Sequence, residues 1–544
     1  MGSFNVRKIN NIIHADPIEN KINENGLGRY IFDLIEGHGD KIFQINAETN
    51  EVETYQNFNQ KCVRTALTMQ KYGIGKKDIV LLISPNTMEA TIPVVATLYL
   101  NAIIASLDPS IPLRDVAHLM KLMQPKMIFA IEESLEVVRT ASREISTNPI
   151  IVIMNPQSHP RQELSLASFL LPNAEETQFI PDKINDIKET ALILFSSGTT
   201  GLPKPIKCSH FGLLYTAFGE LMCGYECSVI MAYNSFHWIS TYLLTIYAFI
   251  SGGKKIVPAN FKPRSALEYC RLYQVTTLLL PTTYMLEFTE ENTGNHDSPY
   301  PKYLIYGGSG IAAKNIQKIY TFFPNSKTVF TYGMSEVCGF ITGSPDNYYD
   351  LIKTKPGSVG IPNPGLSIKI ADLETEEALP PNKQGEIRLF TEAIFNGYIN
   401  ENSSGLCDKD GFLKTGDVGY YDEDNCFYVT DRIKEMFKYK GWPIIPNSVE
   451  NIVYKHPAVR EAIIIGIPHE IDGHHPMAVV ALINNSKEIS ERDIQKFVDE
   501  RLPEREKLRA GLKIVKALPK TPTGKIMRKY IRDLIITGKL NELK

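Results

Sequence analysis

The amino-acid sequence predicts an α/β protein with a large N-terminal domain and a small α+β C-terminal domain. Between residues 78 and 333, short apolar runs alternate with helix-like stretches, which is the pattern of parallel α/β sheets. From about residue 340 to residue 433, short alternating segments between turn residues indicate a small, β-barrel-like unit. Charged and turn residues then mark a boundary near Lys434, so we expect domains at 1–433 and 434–544.

Composition places the chain among ordinary globular enzymes. It has 544 residues, of which 43% are hydrophobic and 22% are charged. A formal net charge of -3 gives no general attraction to nucleic acid or to anionic membranes, so we expect small-molecule partners. The 8 cysteines form no Cys-x-x-Cys pair, which is typical of reduced, buried thiols.

The ends of the chain and its apolar runs favour a cytoplasmic protein. We find no charged-then-apolar leader, and the final residues do not form a Ser-Lys-Leu peroxisomal signal, so a peroxisomal location is less favoured. The apolar run Thr91–Leu107 is interrupted by a proline and an asparagine, and Trp238–Ile250 is too short to span ~30 Å. Both are predicted to be core helices. The oligomeric state is not indicated.

The first part of the chain contains the beginning of the α/β pattern. Residues 1 to 75 mix polar turns with helical patches. The strands and the helix that follow are expected at Asp78–Ile83, Met88–Ile104 (the helix), Lys126–Ile131 and Pro149–Met154.

The pattern resumes after a polar stretch and supports two α/β sheets packed on one another. Further strands are expected at Ala191–Phe195, Ser228–Tyr233, Lys255–Val257, Thr276–Leu280, Tyr303–Tyr306 and Thr328–Thr331. The small β unit is expected within Ser358–Ala371, Gly385–Phe390 and Phe412–Val429, and C-terminal helices near Asn447–Lys455, Glu491–Glu500 and Lys525–Leu534.

A Ser/Gly/Thr-rich loop follows the strand that ends at Phe195. It reads Ser196-Ser197-Gly198-Thr199-Thr200-Gly201-Leu202-Pro203-Lys204. The glycines allow close approach of the backbone, and the hydroxyls, N–H groups and lysine suit phosphate oxygens. No Gly-Lys-Ser/Thr follows, so this is not a Walker loop. An ordinary turn between two elements fits the loop about as well.

Further motifs lie later in the chain, and those at Tyr306 and Tyr332 follow the ends of predicted strands. Tyr306-Gly307-Gly308-Ser309-Gly310 fits a dinucleotide-binding fingerprint only loosely, because the acidic residue needed ~20 positions later is not clearly placed. The remaining motifs are Tyr332-Gly333-Met334-Ser335-Glu336, Lys414-Thr415-Gly416-Asp417, Asp431-Arg432, Phe437-Lys438-Tyr439-Lys440-Gly441-Trp442 and Pro519-Lys520-Thr521-Pro522-Thr523-Gly524-Lys525. Taken singly, such turn residues are usually only solvated. The pair His474-His475 is expected in a loop without a ligand partner.

Together these motifs resemble, residue by residue, those of the adenylate-forming superfamily. This family includes acyl- and aryl-CoA synthetases, firefly-type luciferases and peptide-synthetase adenylation domains. The resemblance runs from roughly Gly26 to Ile536. It implies a small C-terminal domain that is mobile about a hinge at Lys434, and it implies ATP, Mg²⁺ and CoA as cofactor and substrates.

The resemblance also implies roles for individual residues. Glu336 would coordinate Mg²⁺, Lys525 would bridge the carboxylate and phosphate oxygens, and Lys438 belongs to a face that swings in for the second half-reaction. His237 is a candidate gate of the acyl pocket, although a packed core histidine is an equal alternative. The nucleotide would contact Ser196, Ser197, Gly198, Thr199, Thr200, Gly201, Lys204, Gly307, Gly308, Ser309, Tyr332, Gly333, Met334, Ser335, Asp417, Arg432, Lys440 and Gly441.

Four segments depart from the family pattern. Pro446-Asn447-Ser448-Val449-Glu450 lacks the first glutamate of the family's Pro-x-Glu-x-Glu. Ser309-Gly310 replaces the commoner Ala-Pro, and Ser335 replaces a threonine. Firefly-type luciferases have His-His-Gly-Phe-Gly where this chain has His237-Trp238-Ile239-Ser240 after Phe236. The change in this last segment argues against a luciferin pocket of the beetle type, but it does not exclude light emission with another substrate.

Two enzymatic functions and one non-enzymatic function follow from these motifs. The leading hypothesis is an ATP-dependent acyl- or aryl-CoA synthetase that works through an acyl-adenylate. The alternative is a luciferase-type monooxygenase, which oxidises the adenylate with O₂ and emits light. A nucleotide-binding protein that has lost catalysis is a third reading, against which the intact Lys525 and the phosphate loop count. The identity of the acid is not indicated.

Overall fold

The computed structural model describes residues 4–19, 22–155, 164–195, 202–291, 297–311, 313–401, 404–483, 489–520 and 526–540. Within them the chain forms two mostly parallel sheets, one larger antiparallel sheet and a C-terminal sheet, together with two short ribbons. The fold is therefore mixed α/β, with a large N-terminal domain and a smaller C-terminal domain, as the sequence predicts.

The first parallel sheet has seven strands. In spatial order they are Pro205–Ser209, Thr190–Phe195, Ile103–Leu107, Ile79–Ile83, Met127–Ala130, Ile150–Ile153 and Leu164–Ser165. Only the edge strand Pro205–Ser209 is antiparallel to its neighbour. The central strands are apolar along their whole length because helices cover both faces of such a sheet.

The second parallel sheet also has seven strands and carries the site described below. In spatial order they are Lys327–Thr331, Tyr303–Gly307, Thr277–Pro281, Val229–Ala232, Lys254–Val257, Ile42–Asn46 and Val52–Thr54. Helix Leu27–His38 contacts both Thr91–Tyr99 and Ile239–Ser251, in an apolar core that includes residues of both parallel sheets.

The small β unit is a six-stranded antiparallel sheet. Its strands, in order, are Val6–Ile9, Ile12–Ala15, Ser367–Ala371, Gly385–Phe390, Leu413–Tyr421 and Phe427–Arg432. Within the described ranges its two outer strands do not pair, so the sheet is open rather than closed into a barrel. Its first two strands form a hairpin at the N-terminus, in a segment for which the sequence analysis predicted polar turns and helical patches but no strands.

The C-terminal domain is built on a five-stranded sheet with its own apolar clusters. The strands, in order, are Trp442–Ile444, Phe437–Tyr439, Gly473–Leu482 and Val459–His469, with Leu512–Val515 also paired to Gly473–Leu482. Separate buried clusters lie on the two faces of this sheet. The short ribbons are Gly333–Met334 with Gly339–Phe340, and Thr342–Gly343 with Ile361–Pro362.

Helices connect these sheets. The α-helices are Leu27–His38, Tyr55–Lys71, Thr91–Tyr99, Leu113–Met123, Leu135–Glu144, Leu166–Phe169, His210–Met222, Ile239–Ser251, Pro263–Leu272, Thr282–Glu291, Ala313–Phe322, Tyr349–Lys353, Pro446–Val453, Glu491–Asp499 and Arg528–Ile536. In the part of the chain that the structure describes, none of them has the length and apolar character needed to cross a bilayer.

The predicted helix Met88–Ile104 was wrong in its second half. The apolar run divides into the helix Thr91–Tyr99 and the buried strand Ile103–Leu107. Between them Asn101 adopts a left-handed backbone conformation, with φ 49°, and its side chain donates to the Asp182 carbonyl at 2.8 Å. A run that is buried on all sides has no periodicity that separates a helix from a strand, so the turn went unpredicted.

Candidate active site

Motif residues lie where strands of the second parallel sheet end. The strands Tyr303–Gly307 and Lys327–Thr331 are parallel partners and end side by side. The hydroxyl of Thr282 donates to the carbonyl oxygens of Gly307 and Ser309, at 3.0 Å each, and fixes the turn that follows the first strand. Ligands of open α/β sheets bind beyond the carboxyl ends of the strands, so this edge is the candidate active site.

The two glycines of this turn are required by space and conformation. A Cβ atom at Gly307 would lie 2.5 Å from the carbonyl oxygen of Thr331, which no side chain tolerates. Gly308 has φ 88°, a region that L-residues rarely adopt. The backbone of this turn can therefore lie directly against a ligand, as the sequence motif predicts.

Tyr332, Asp417 and Arg432 form a hydrogen-bonded group, which we name the Asp417 network. Tyr332 donates from its phenol to Asp417 Oδ2 at 2.6 Å, and Arg432 Nε lies 3.2 Å from Asp417 Oδ1. Asp417 and Arg432 are paired partners on neighbouring antiparallel strands, which holds their side chains together. Burial, followed by the charge of Asp417, raises the pKa of Tyr332 well above its usual range, so the phenol remains a donor.

Glu336 lies in the short 3₁₀ turn that follows Tyr332 and accepts a 2.9 Å hydrogen bond from the phenol of Tyr398. Burial raises the pKa of the Glu336 carboxyl, and the hydrogen bond from Tyr398 and the charge of Arg432 oppose this increase. Among the described residues, Glu336 forms no ion pair within 4.0 Å. A carboxylate that is partly desolvated without a paired cation suits a bound divalent ion, which is the role that the resemblance implies for it.

Lys204 is connected to the same group of side chains. Its ammonium lies 2.8 Å from Glu401 Oε2 and 5.5 Å from the ring centroid of Tyr398. Backbone hydrogen bonds join the two segments: Ile399 donates to the Pro205 carbonyl at 3.1 Å. The predicted phosphate-loop lysine and the predicted magnesium ligand are thus linked through Tyr398, a residue that the sequence analysis missed.

His237 and Trp238 form the side of the site next to the glycine turn. The Nδ1 atom of His237 is 2.6 Å from the hydroxyl of Ser235, and Nε2 is 3.3 Å from Asp108 Oδ2 without hydrogen-bond geometry. Burial lowers the pKa of His237, and the nearby Asp108 opposes this decrease. Trp238 lies against Gly308, since a Cβ atom built there would be 3.2 Å from its Cζ3 atom.

Lys438, Lys440 and Gly441 lie on the C-terminal hairpin that pairs Phe437–Tyr439 with Trp442–Ile444. Lys438 and Lys440 are exposed, and Lys440 Nζ lies 3.8 Å from Asp472 Oδ1 of the same domain. The structure brings these lysines together with C-terminal residues rather than with the Asp417 network. Their proposed part in catalysis stays a prediction.

The two domains are joined by polar contacts next to Arg432. The backbone N–H of Asn447 donates to Asp431 Oδ2 at 2.7 Å, which ties the first C-terminal helix to the antiparallel sheet. Within the C-terminal domain, and close to this contact, Arg528 lies 2.7 Å from Glu450 Oε1 and 3.3 Å from Glu435 Oε2. These contacts surround the expected hinge at Lys434, which is exposed.

Comparison with known proteins identifies the family. Residues 32–399 match the family model described as AMP-binding enzyme, and residues 448–525 match the model of the AMP-binding enzyme C-terminal domain. The chain is a member of the AMP-binding enzyme family. It therefore belongs to the adenylate-forming superfamily, as the sequence motifs indicate.

Members of this family with different activities are similar to the chain. It is 28% identical to a luciferin 4-monooxygenase from Photuris pensylvanica over 503 residues, which cover 90% of this chain and 91% of the relative. It is 27% identical to 4-coumarate–CoA ligase 4 from Arabidopsis thaliana over 528 residues, covering 93% and 91%. The solved luciferase-like enzyme from the nonluminescent Zophobas morio mealworm has 33% identity and a TM-score of 0.72, covering 78% of this chain and 99% of that one.

The comparison leaves the individual site residues as predictions. One edge of the N-terminal domain carries the predicted nucleotide- and metal-binding residues that the structure describes there: Gly307, Gly308, Ser309, Tyr332, Gly333, Met334, Ser335, Glu336, Asp417 and Arg432. Other predicted site residues lie outside the described residues. They are the predicted catalytic Lys525 and the phosphate-loop residues Ser196, Ser197, Gly198, Thr199, Thr200 and Gly201.

Asp108 and Tyr398 are site residues that sequence reasoning missed. Asp108 directly follows the strand Ile103–Leu107, which the sequence analysis had assigned to a helix, so its position at a strand end was hidden. Tyr398 lies next to Glu336 because its segment pairs with the strand Pro205–Ser209, and no local sequence pattern predicts that contact.

Proposed function

We propose that this protein is an ATP-dependent acid–thiol ligase, which activates a carboxylic acid as an acyl-adenylate and transfers the acyl group to CoA. The observation that carries the first step is the Asp417 network beside the glycine turn. Asp417 presents a fixed carboxylate to ribose hydroxyls, and Arg432 adds a positive charge next to it. Membership of the AMP-binding enzyme family supports ATP as the nucleotide.

In the first step, a carboxylate oxygen of the acid attacks the α-phosphorus of ATP, and the bond to the β-phosphate oxygen breaks to release pyrophosphate. Both reactants are anions, so the site must supply positive charge and hydrogen-bond donors. We assign this task to Arg432, which lies beside Asp417, to Lys204, which lies beside Tyr398, and to Lys525. A Mg²⁺ ion held by Glu336 would offset the charge of the phosphates.

In the second step, the thiol of CoA loses its proton and attacks the acyl carbon, and AMP leaves as the bond between that carbon and the phosphate oxygen breaks. We assign the face that carries Lys438 and Lys440 to this step, after rotation of the C-terminal domain about Lys434. Two polar contacts flank the proposed hinge. The rotation would break Asp431–Asn447, which crosses the hinge, and would leave Glu435–Arg528 intact, since both of its residues belong to the C-terminal domain.

The position of Trp238 favours a ligase over a luciferase. Its indole lies against Gly308 and takes space beside the glycine turn. Firefly-type luciferases have a glycine at the matching position, which leaves this space free for a bulky, flat acid. Oxidation of the adenylate by O₂ with emission of light is the second candidate function, because the chain is similar to a luciferin 4-monooxygenase over most of its length.

One assay separates these functions. Pyrophosphate release is measured over a panel of short, long and aromatic carboxylic acids, with and without CoA, and light is recorded in the same wells. We expect release that depends on one class of acid and on CoA for repeated turnover, with the acyl-CoA detected by mass spectrometry. Turnover without CoA together with light would favour the luciferase, and absence of acid-dependent release would contradict both.

A further inference from the structure

A cluster of metal-binding side chains lies at the tip of the longest hairpin of the C-terminal domain. The strands Val459–His469 and Gly473–Leu482 are joined by a three-residue turn, and His469, Asp472 and His475 surround that turn. Their ligand atoms all lie within 4.8 Å of one another. In the described part of the chain, no other three His, Cys, Asp or Glu side chains bring their ligand atoms so close together. The sequence analysis had placed His475 in a loop without a partner.

The distances within the cluster are near those of a bound transition metal. His475 Nε2 is 2.8 Å from Asp472 Oδ2, and His469 Nδ1 is 3.8 Å from the same oxygen. Atoms that share a tetrahedral zinc ion at 2.0–2.2 Å are about 3.3 Å apart, so these separations would have to change by at most about 1.5 Å.

The side chains have room for these shifts. The imidazole rings of His469 and His475 are stacked, with centroids 3.9 Å apart, and must rotate to direct both nitrogens at one ion. The His469 side chain is 40% exposed, and its turn includes Ile471, which is 87% exposed, so this ring is free to rotate once its Nδ1 gives up the 3.2 Å hydrogen bond from the Asp472 N–H. The His475 ring is held more firmly because it contacts the buried Tyr439, so we expect His469 to make most of the movement.

We propose that His469, Asp472 and His475 bind one Zn²⁺ ion or a similar transition-metal cation, a site separate from the adenylation chemistry. Two imidazoles and one carboxylate form a donor set that suits zinc, with water as the fourth ligand. Mg²⁺ and Ca²⁺ prefer oxygen ligands and are not expected to bind here.

The site is coupled through Lys440 to the hairpin that pairs Phe437–Tyr439 with Trp442–Ile444. The backbone N–H of Lys440 donates to the Asp472 carbonyl at 2.8 Å, and its ammonium lies 3.8 Å from Asp472 Oδ1. A cation bound to Asp472 would repel this ammonium. Zinc binding would therefore release the Lys440 side chain from Asp472, at the segment to which we assign the second half-reaction.

Cobalt and zinc titrations of the full-length, nucleotide-free protein test the proposal. Co²⁺ should give the visible absorption of a tetrahedral complex with one ion per chain, and Zn²⁺ should displace it. His475→Ala and His469→Ala should each weaken binding by about 100-fold or more, because loss of a partner that only supports a ligand already costs about 10- to 100-fold. His474→Ala is the matched control, since this neighbouring imidazole lies outside the cluster, and it should leave binding unchanged. Lys440→Gln should tighten binding about threefold by removing the competing charge.

Any one of three results would contradict the proposed site. They are no stoichiometric metal binding by the wild-type protein, an equal loss of affinity in His474→Ala and His475→Ala, and unchanged affinity in both His469→Ala and His475→Ala. Circular dichroism and hydrogen exchange verify that each variant is folded. Because metal binding is measured without ATP or acid, its failure is distinct from a failure of the proposed ligase activity.

Discussion

The phenol of Tyr332 donates a 2.6 Å hydrogen bond to Asp417, although the two residues are 85 positions apart. Tyr332 follows the last strand of the second parallel sheet, and Asp417 lies in the antiparallel strand Leu413–Tyr421. This contact joins the glycine turn and the Arg432 side chain into one surface. The predicted nucleotide site is therefore built where two sheets meet.

Asp417→Asn should weaken the use of ATP. The substitution keeps the size of the side chain but removes the charge that pairs with Arg432 and would accept from ribose hydroxyls. We expect KM for ATP to rise about 10-fold or more, the scale of a lost charge-assisted hydrogen bond, measured by acid-dependent ATP–pyrophosphate exchange. Asp410→Asn is the control, since that aspartate faces Lys369 in the same domain and is 55% exposed. An unchanged KM for ATP in Asp417→Asn would contradict the ribose assignment.

Tyr398→Phe should make magnesium dependence more sensitive to acid. The phenol hydrogen bond counteracts the burial that raises the pKa of Glu336, so its loss raises this pKa further. A higher pKa means that the carboxylate is protonated at a higher pH. Apparent Mg²⁺ affinity should therefore begin to fall at a higher pH than in the wild type, as measured by Mg²⁺ titrations of pyrophosphate exchange from pH 5 to 8.

Tyr428→Phe provides the matched control for this prediction. It removes a similar phenol–carboxylate hydrogen bond, from Tyr428 to Asp422 at 3.2 Å, in the antiparallel sheet. If both variants shift the pH at which Mg²⁺ affinity falls by the same amount, or if neither shifts it, the role proposed for Tyr398 at Glu336 is contradicted.

Trp238→Gly should widen the range of acids. Removing the indole from Gly308 opens space beside the glycine turn, so kcat/KM for bulky ring acids should rise about 10-fold relative to short acids, the scale of a changed pocket contact. Trp442→Gly is the control, because the second of the 2 tryptophans is 59% exposed on the C-terminal domain.

Fluorescence gives a reading of acid binding that does not require turnover. In Trp442→Phe, Trp238 is the only tryptophan, so binding of an acid next to it should change its emission. Acid binding that leaves this emission unchanged, together with an unaltered acid preference in Trp238→Gly, would place the acyl group elsewhere.

Arg528→Met should destabilise the C-terminal domain. The guanidinium pairs with the buried Glu450, and removal would leave that carboxylate without its cation at a cost of about 3 kcal/mol. Hydrogen exchange in the strand Val459–His469 measures this cost. Arg532→Met, at a 44% exposed arginine, should change it by less than about 0.5 kcal/mol. Equal effects of the two substitutions would contradict the account of the buried pair.

Local patterns were sufficient to predict most of the parallel strands and the residues that follow them. The apolar runs before Gly307 and Tyr332 are short and bounded by glycine, so both strand ends were predicted within one residue. The strand Ile103–Leu107 was missed because its run continues an apolar helix, and Asp108 was missed with it.

Contacts that depend on long-range pairing were not predictable from the sequence. Tyr398 contacts Glu336 because residues near it pair with Pro205–Ser209, and His475 contacts Asp472 because the hairpin register places them at one turn. In both cases the residue types carry no signal by themselves. The sequence identified the motifs, and the register of distant strands decides which side chains meet.

Isotope transfer from the acid tests the central claim most directly. With an acid from the screen labelled with ¹⁸O in its carboxyl group, attack on the α-phosphate predicts one ¹⁸O atom in AMP for each acyl-CoA formed. Lys525→Ala should slow this transfer by about 100-fold, the scale of losing one key electrostatic group. Acyl-CoA formed with unlabelled AMP, or with ¹⁸O in inorganic phosphate or pyrophosphate, would contradict an acyl-adenylate intermediate.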